Sequence, residues 1–319
     1  MRFESEALPL ANTAWNADWE NRSGRSMPVL QSLRAIADDG WLGSLMVQQI
    51  PDDTIALSNL CTEQQLSDDE QHKIRVALLQ QSVLLSEITL PRYVRYLVSA
   101  KDSLVLKALS AAAFRSAGPV EEWTRSEKMT TRHCLPPVGC VFYWIDAADI
   151  STESSAHFTR FSTRTSIETS AGRFEVSQPV LCGLLDQSLQ HSNDLPGLPL
   201  PTADQLLRLW RLSSSTIRIF LAVQNNEPVG IMAMNLVEDG SDAVGPEIII
   251  EYIGVRCDSR RNGIAAALLS LLASEVSGSP PPARITAFAG AENEAAAGLY
   301  RRLGFAVTDS LAVWTAAGP

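Results

Sequence analysis

The sequence predicts an α/β protein with a mixed central sheet flanked by helices. The segment 247–255 (EIIIEYIGV) is rich in β-branched residues, as a largely buried strand requires. The segment 264–276 is rich in Ala and Leu and contains no proline, which is typical of a buried helix. A strand followed closely by a helix is the repeating unit of this fold class.

Further elements surround this pair in the C-terminal half. Strands are predicted at 218–223, 229–236, 284–289 and 311–314, the first two as a hairpin that turns at 225–228. Helices are predicted at 180–190 and 203–212, joined by a proline-rich segment. Nearer the middle of the chain, strands are predicted at 141–145, at 157–167 and after Gly172. These middle strands belong either to a sheet that joins the halves or to a connector.

The N-terminal half repeats this order of elements faintly. The matching segments are 54–60 with 249–255, 74–85 with 264–272, 95–98 with 284–289, and 112–118 with 298–304. The alternative is an unrelated helical domain, because each matched segment alone is only an apolar strand or helix. At 319 residues the chain is too long for one domain of this kind, so we predict domains at 1–135 and 136–319.

A glycine turn, residues 256–263 (RCDSRRNG), separates the strand 247–255 from the helix 264–276. Several backbone N–H groups at a helix N-terminus lack intrahelical partners, and the helix dipole is positive there, so an anion binds at this position. Gly263 lets the backbone approach the anion, and Arg260 and Arg261 can donate charge-assisted hydrogen bonds. The turn therefore predicts a phosphate-binding site.

Two motifs resemble those of the GNAT superfamily of N-acetyltransferases. Arg260, Gly263 and Ala265 fill the pattern Gln/Arg-x-x-Gly-x-Gly/Ala of its pyrophosphate loop. Residues 293–305 (NEAAAGLYRRLGF) are similar to its second motif, Asn-x-x-Ala followed by Leu-Tyr-x-x-Leu-Gly-Phe, with matching order and spacing. The resemblance covers residues 215–319, and Cys257 departs from it where many members carry Pro. With the internal repeat, it implies two tandem GNAT-like domains.

The resemblance implies acetyl-CoA as a co-substrate. Its pantetheine arm would lie like an added strand along 253–255, its phosphates would lie on 261–266, and the helices at 180–190 and 203–212 would frame the acceptor site. The implied cofactor-binding residues are Ile253, Gly254, Val255, Arg260, Arg261, Asn262, Gly263, Ile264, Ala265, Ala266 and Asn293. Asn293 would orient a pantetheine amide or a water molecule, unless it only caps its helix.

The resemblance also implies a general acid, Tyr300, which matches the family tyrosine that faces the thioester sulphur. Its alternative role is to pack the helix against the sheet. For the base, Glu251 lies within an otherwise apolar strand, where burial would raise its pKa towards the working range. Strand alternation would place Glu251 on the face of Ile253 and Val255 and opposite Tyr252. Glu251 is therefore the leading candidate for the base.

Two alternatives to this base remain. Glu251 could instead pack under a helix against Arg301 or Arg302, in which case a water-relayed proton path is expected. Glu247 is the second candidate for the base.

The first copy is predicted to be inactive. The loop 61–73 contains no glycine or arginine and carries four acidic residues, so it should repel pyrophosphate: Glu63, Asp68, Asp69 and Glu70. In the predicted repeat Phe114 corresponds to Tyr300, so the first copy lacks the tyrosine hydroxyl. These features predict a tandem GNAT protein with one degenerate copy.

Composition narrows the class of partner. The net charge of −10 disfavours nucleic acid and favours a cationic or neutral small acceptor. The five cysteines are irregularly spaced, which is typical of free thiols, and no metal site is predicted. A triad of Cys182, His191 and Asp194 is disfavoured, because all three lie on one predicted helix and its end. The sequence shows no membrane span or signal peptide, so a cytoplasmic location is expected.

Together these features predict an acetyl-CoA-dependent N-acetyltransferase that forms a ternary complex and acts on a small primary amine. The chemistry needs a deprotonated nucleophile, a polarised carbonyl and an acid for the thiolate. Three alternatives are an acyltransferase that uses a longer or carrier-bound acyl thioester, a protein or peptide acetyltransferase, and a non-catalytic acyl-CoA sensor. The acceptor itself carries no motif.

Overall fold

The computed structural model describes residues 1–7, 30–37, 40–50, 54–89, 93–126, 137–150, 156–160, 173–190, 201–212, 217–237, 247–275 and 284–317. The chain divides into two compact units. The first unit contains Met1–Val120, Pro196–Leu198 and Ser310–Pro319, and the second contains Glu121–Leu195 and Pro199–Asp309. The division predicted from the sequence, after residue 135, stays a prediction.

Fourteen strands lie in the described residues. They are β1 (Arg2–Ala7), β2 (Leu30–Ala37), β3 (Gly40–Ile50), β4 (Thr54–Thr62), β5 (Tyr93–Ser99), β6 (Arg115–Ser126), β7 (Cys140–Asp146), β8 (Ala156–Arg160), β9 (Arg173–Val176), β10 (Ile217–Gln224), β11 (Glu227–Val237), β12 (Glu247–Val255), β13 (Arg284–Gly290) and β14 (Ala306–Ala317). The predicted strand 157–167 is thus observed as β8, and its residues after 160 lie outside the described ranges.

Six α-helices lie in the same described ranges. They are α1 (Asp68–Thr89), α2 (Ser103–Ala111), α3 (Gln178–Leu189), α4 (Ala203–Leu212), α5 (Ile264–Glu275) and α6 (Glu294–Arg302). The three helices predicted with bounds in the C-terminal half, 180–190, 203–212 and 264–276, are confirmed within two residues at either end.

The first unit is a mixed sheet covered on one face by two helices. Its strands lie in the order β1-β2-β3-β4-β5-β14, and the end of β14 pairs antiparallel with β5 from Leu311–Ser99 to Ala317–Tyr93. Strands β4 and β5 run parallel, because α1 connects them. One buried core joins α1 and α2 to the sheet, and it includes Leu78, Leu109 and Tyr96.

The second unit has helices on both faces of its sheet. The strand order is β13-β12-β11-β10-β7-β8-β9, with β12 and β13 parallel and the others antiparallel. On one face of this sheet a buried core, which we call the first core, packs α5 and α6 against the sheet and includes Phe220 and Leu268. On the other face the second core packs α3 and α4 and includes Leu221 and Trp210. Adjacent β10 residues therefore supply opposite cores, as strand alternation requires.

The hairpin predicted in this unit is confirmed. Strands β10 and β11 are joined by Asn225 and Asn226, whose φ angles are +51° and +63°. Two consecutive left-handed residues make the type I′ geometry that matches strand twist, and asparagine tolerates this conformation better than other residues with a Cβ.

The internal repeat is confirmed by topology. Strands β4 and β12 both have nine residues, β5 and β13 both have seven, and helices α2 and α6 both have nine. In each unit four residue pairs join the two parallel strands. They run from Thr54–Tyr93 to Leu57–Tyr96 between β4 and β5, and from Glu247–Arg284 to Ile250–Ala287 between β12 and β13. Both helices begin with a capping side chain, Asp102 and Asn293, that accepts from the backbone N–H three residues later.

One segment of the predicted repeat was misaligned. Residues 112–118 do not form the counterpart of helix α6, because the helix is α2 and residues from Arg115 onward form β6. The left-handed stop after α2 is Ala113 (φ +65°), where α6 has Gly304 (φ +84°), so Phe114 corresponds to Phe305. Counting back from these stops, the counterpart of Tyr300 is Leu109, which also has no hydroxyl. The sequence predicts the wrong register because the segment 112–118 ends in a glycine, as 298–304 does, whereas the stop in the first unit is an alanine.

Candidate active site

The strands β12 and β13 separate halfway along their length. Their pairing, as described, runs from Glu247–Arg284 to Ile250–Ala287 and stops there, although β12 continues to Val255 and β13 to Gly290. We call the gap between 251–255 and 288–290 the strand opening. Unpaired strand edges present backbone N–H and C=O groups that an extended ligand can pair with. The predicted pantetheine residues 253–255 lie on this edge.

A β-bulge begins the strand opening. Ala233 pairs with Tyr252 and Met234 with Ile250, so Glu251 is the extra residue on β12. Ile250 and Ile253 consequently both contact the first core, whereas Tyr252 contacts the second. The alternation expected from the sequence was therefore wrong, because an inserted residue reverses the direction of all the side chains after it.

Glu251 lies on the face of the second core. Its carboxylate accepts a hydrogen bond from Asn235 Nδ2 at 3.3 Å, and Asn235 pairs across the sheet with Ile217, a member of the second core. Glu251 is thus on the face of Tyr252 and opposite Ile253, contrary to the sequence prediction. Glu251 is also exposed, whereas the sequence predicted a buried carboxylate. Its role as a base stays a prediction from position.

Glu247 has partners that fix it in the sheet. Its Oε1 accepts hydrogen bonds from Arg284 Nε at 2.8 Å and from Thr286 Oγ1 at 2.6 Å. These partners lie on β13 beside the start of β12, away from the strand opening. A carboxylate held by a guanidinium in this way is suited to joining two strands, and it is a poor base.

The glycine turn has the geometry of an anion site. Arg261 and Gly263 are left-handed, with φ +64° and +80°, and residues 261–263 are exposed. A Cβ added to Gly263 would meet no described atom within 4 Å, so the space above the turn is open. Ile264 is 1% exposed and holds the first turn of α5 in the first core. The first N–H groups of α5 therefore point from a fixed helix into open space.

The side chain of Arg260 supports the turn from within. Its Nε donates to the carbonyl of Val255 at 3.1 Å, and its Nη2 donates to the carbonyls of Ser188 and Gln190, both at 3.0 Å. Gln190 is the C-cap of α3, where free carbonyls and the helix dipole favour a cation. The guanidinium thus fastens the turn to α3, whereas the sequence suggested that it contacts phosphate.

Helix α3 also approaches β12 at Gly254. A Cβ on Gly254 would lie 2.5 Å from Tyr252 Oη and 2.7 Å from Ser188 Oγ, which no side chain can satisfy. The two hydroxyls are 2.6 Å apart and share a hydrogen bond. Gly254 is therefore required by this close approach, and Ser188 is a site residue that carried no motif in the sequence.

Tyr300 lies on the face of the first core. It is 3% exposed, and its ring packs between Trp123 and Phe305 with centroid distances of 5.8 and 5.3 Å. The guanidinium carbon of Arg301 lies over the ring of Trp123, 5.1 Å from its centroid. The packing role of Tyr300 is thus observed, and its role as an acid stays a prediction. Asn293 is the N-cap of α6, since its Oδ1 accepts from the N–H of Ala296 at 3.0 Å.

The first unit has the same strand separation, but a side chain fills it. Pairing of β4 with β5 ends at Leu57–Tyr96, and the backbone N–H of Leu60 donates to Tyr96 Oη at 3.2 Å. Leu60 is the third residue after the last pair, as Ile253 is in the second unit. Tyr96 thus binds the backbone group whose counterpart, in the second unit, lies on the predicted pantetheine edge.

The start of α1 differs equally from the glycine turn. Ser67 and Glu70 form a capping box, in which Glu70 Oε2 accepts from the N–H of Ser67 at 3.0 Å and Ser67 Oγ accepts from the N–H of Glu70 at 3.4 Å. The first turn carries Asp68, Asp69 and Glu70. Its N-terminal donors are partly satisfied internally, and its charge repels an anion.

Other kinds of site find no support in the described residues. No group of three or more His, Cys, Asp or Glu side chains there could hold a metal ion. Among the described helices, none is long and apolar enough to cross a membrane. Two members of the triad that the sequence disfavours, His191 and Asp194, lie outside the described ranges.

In the second unit, a parallel strand pair separates before the N-terminus of helix α5. Residues 186–305 match the model of the acetyltransferase (GNAT) family. This part of the chain is therefore similar to the GNAT family of acetyltransferases. Comparison with curated proteins gave no match.

Solved structures extend the likeness to the whole chain. A tandem GNAT protein from the clavulanic acid biosynthesis pathway superposes with a TM-score of 0.61 at 10% identity, covering 100% of this chain and 99% of its own. A GCN5-related N-acetyltransferase from Sphaerobacter thermophilus gives 0.58 at 14% identity, covering 99% and 95%. One from Kribbella flavida gives 0.52 at 14% identity, covering 90% of both chains. The chain thus has a tandem GNAT fold.

Proposed function

We propose that this protein is an acetyl-CoA-dependent N-acetyltransferase that acetylates a small primary amine by direct transfer in a ternary complex. The observation that carries the proposal is the strand opening, which leads to the glycine turn at the start of α5. An extended pantetheine arm fits the unpaired edge at 253–255, and the phosphates fit the backbone N–H groups of residues 261–266 at the start of α5.

The candidate acid and base lie on opposite faces of the sheet. Tyr300 is in the first core, and Glu251 is on the face of the second. A thioester held in the strand opening is within reach of both faces, because the sheet is interrupted there. This arrangement suits a direct transfer, in which the base and the acid act on the two sides of one carbonyl carbon.

In the proposed reaction the amine nitrogen attacks the thioester carbonyl carbon, and the carbon–sulphur bond then breaks. Glu251 accepts the proton that the amine loses, directly or through one water molecule. Tyr300 donates its phenolic proton to the departing thiolate, so that free CoA leaves as the thiol. Backbone N–H groups at the edge of β12 stabilise the negative charge on the carbonyl oxygen.

Only the second unit is proposed to bind acetyl-CoA. In the first unit Tyr96 fills the equivalent of the strand opening, and the capping box and three acidic side chains occupy the start of α1. The counterpart of Tyr300 is Leu109, which has no proton to donate. We therefore expect one molecule of acetyl-CoA per chain.

Calorimetric titration of acetyl-CoA into the wild type and Gly263→Glu tests this proposal. The wild type should bind with a stoichiometry of one, and the variant should not bind, because a carboxylate would occupy the phosphate position. Gly139→Glu is the matched control, since Gly139 is also exposed, has φ +74° and has open space around its Cβ position. Equal strain is thus introduced away from the turn.

A thiol-release assay over a panel of amines then tests the chemistry. Tyr300→Phe should bind acetyl-CoA normally and lose most of its turnover, and Tyr96→Phe, which removes a buried hydroxyl from the first unit, should keep it. If the wild type binds acetyl-CoA but shows no turnover that Tyr300→Phe abolishes, the result would indicate a longer or carrier-bound acyl donor, or a sensor. Absence of binding by the wild type would refute the cofactor, and a stoichiometry of two would refute the inactive first unit.

A further inference from the structure

Three side chains from adjacent strands meet the strand opening on one face of the sheet. Asn235 on β11 is 8% exposed and donates to Glu251 on β12 at 3.3 Å. Phe288 on β13 is 41% exposed, an unusual environment for a phenylalanine within a strand. We call these three residues the acceptor patch, and the following argument rests on the proposed function.

The face of Phe288 follows from its neighbours. Ile285, Ala287 and Ala289 belong to the first core, so Phe288, which alternates with them, points to the opposite face. Thr286 shares that direction and contacts Glu247 there. Asn235 and Glu251 lie on the same face, as shown by the pairing of Asn235 with Ile217. The three side chains of the acceptor patch therefore point to the same face of the sheet.

Position along the strands completes the argument. Ile250 and Ala287 form the last parallel pair, so Glu251 and Phe288 are the first residues on either side of the strand opening. A group that enters the opening from this face passes between a carboxylate and an aromatic ring. Glu247, Arg284 and Glu122 also lie on this face, where Arg284 forms ion pairs with both carboxylates.

We propose that the acceptor patch selects an amine attached to an aromatic or branched apolar group. Phe288 contacts the apolar group and determines specificity, and Glu251 contacts the amine. Asn235 is a positioning residue, since its buried amide holds the Glu251 carboxylate in one orientation at the bulge. A ring beside a carboxylate matches an arylalkylamine in both shape and charge.

Steady-state kinetics with a phenylalkylamine and with a short hydroxyalkylamine test the role of Phe288. The wild type should prefer the phenylalkylamine. Phe288→Ala should raise its KM about 10-fold, as expected for lost apolar contacts, and leave the short amine and the Kd of acetyl-CoA unchanged. Leu97→Ala is the control, because Leu97 is the equivalent exposed residue on β5, 48% exposed. If Phe288→Ala loses acetyl-CoA binding, Phe288→Leu is used in its place. Its KM for the phenylalkylamine should rise by a smaller factor than in Phe288→Ala.

A double-mutant cycle tests Asn235. Asn235→Ala should lower kcat about 10-fold with little change in KM, and the same substitution should have no effect in a Glu251→Gln background. A purely structural role would give the same loss in both backgrounds. Equal preference for the two amines, or additive losses in the cycle, would overturn the acceptor patch while acetyl-CoA binding and turnover still supported the proposed function.

Discussion

Replacement of Tyr96 by Phe should destabilise the first unit while preserving its packing. The ring is 5% exposed and stays in the core, but the N–H of Leu60 loses the oxygen that accepts its hydrogen bond at 3.2 Å. An unsatisfied buried donor costs about 1–3 kcal/mol. Leu60 itself is half-buried, so water can partly replace the oxygen, and we expect about 1 kcal/mol.

Urea denaturation of the wild type and Tyr96→Phe measures this loss. The midpoint should fall without a change in m, because the surface exposed on unfolding is the same. Tyr143→Phe serves as the control, since it removes a half-buried tyrosine hydroxyl in the second unit. If Tyr96→Phe were no less stable than this control, the hydrogen bond to Leu60 would contribute nothing, and the reasoning on the closed strand separation would fail.

The dependence of the stability on pH above 10 gives an independent check of the Tyr96 side chain. Burial raises the pKa of Tyr96 above that of an exposed tyrosine, about 10. Its contribution to stability is therefore fully present below pH 10 and is lost as the pH rises through the higher value of the folded state. The difference in stability between wild type and Tyr96→Phe should narrow above pH 10, and a constant difference would contradict the burial of this phenol.

Three other substitutions test contacts that hold the glycine turn and α5 in the second unit and the start of α1 in the first unit. Arg260→Met should lower thermal stability by about 2 kcal/mol and weaken acetyl-CoA binding, because three backbone carbonyls lose their donor; calorimetry checks both. Gly230→Ala should cost about 1–3 kcal/mol in urea, since the new Cβ would lie 2.8 Å from Ile264 Cγ2. The hydrogen bonds from Ser67 lower the pKa of Glu70, so Glu70→Gln should destabilise the protein at pH 7 and have little effect below pH 3.

The sign in the last case follows from the lowered pKa of Glu70. The folded state holds the carboxylate ionised at a pH where the unfolded chain has bound a proton. The stabilisation is therefore present above the ordinary glutamate pKa of about 4.3 and is lost as the pH falls through the lower value. Equal effects of Glu70→Gln at both pH values would show that the capping box does not depend on charge.

Local patterns predicted most of the second unit correctly. The strand 247–255 and the helix beginning at 264 were found because β-branched and Ala/Leu-rich runs differ in composition. The stop at Gly304 is recognisable in the sequence, because a left-handed residue after a helix favours glycine. The equivalent stop at Ala113 was missed for the same reason, since alanine gives no signal of a left-handed conformation.

The site was predicted less completely, because its geometry depends on contacts between distant segments. The bulge at Glu251 depends on the register of β11 against β12, and no residue in either strand identifies it. The partners of Arg260 lie on α3, more than sixty residues earlier in the chain. A sequence motif identified which residues belong to the turn, but it could not show that this guanidinium is used to hold the turn.

The two units share one framework and differ at a few positions around the proposed ligand site. Both retain the four parallel pairs, the separation that follows them and a capped nine-residue helix. The last residue of the pairing on the second strand is Ala287 in one unit and Tyr96 in the other. The alanine leaves the adjacent edge of β12 open to the proposed ligand, whereas the tyrosine accepts the hydrogen bond of the equivalent backbone group itself. A backbone group at a separated strand edge must find a partner in either case, so loss of the ligand and gain of the tyrosine are expected to occur together.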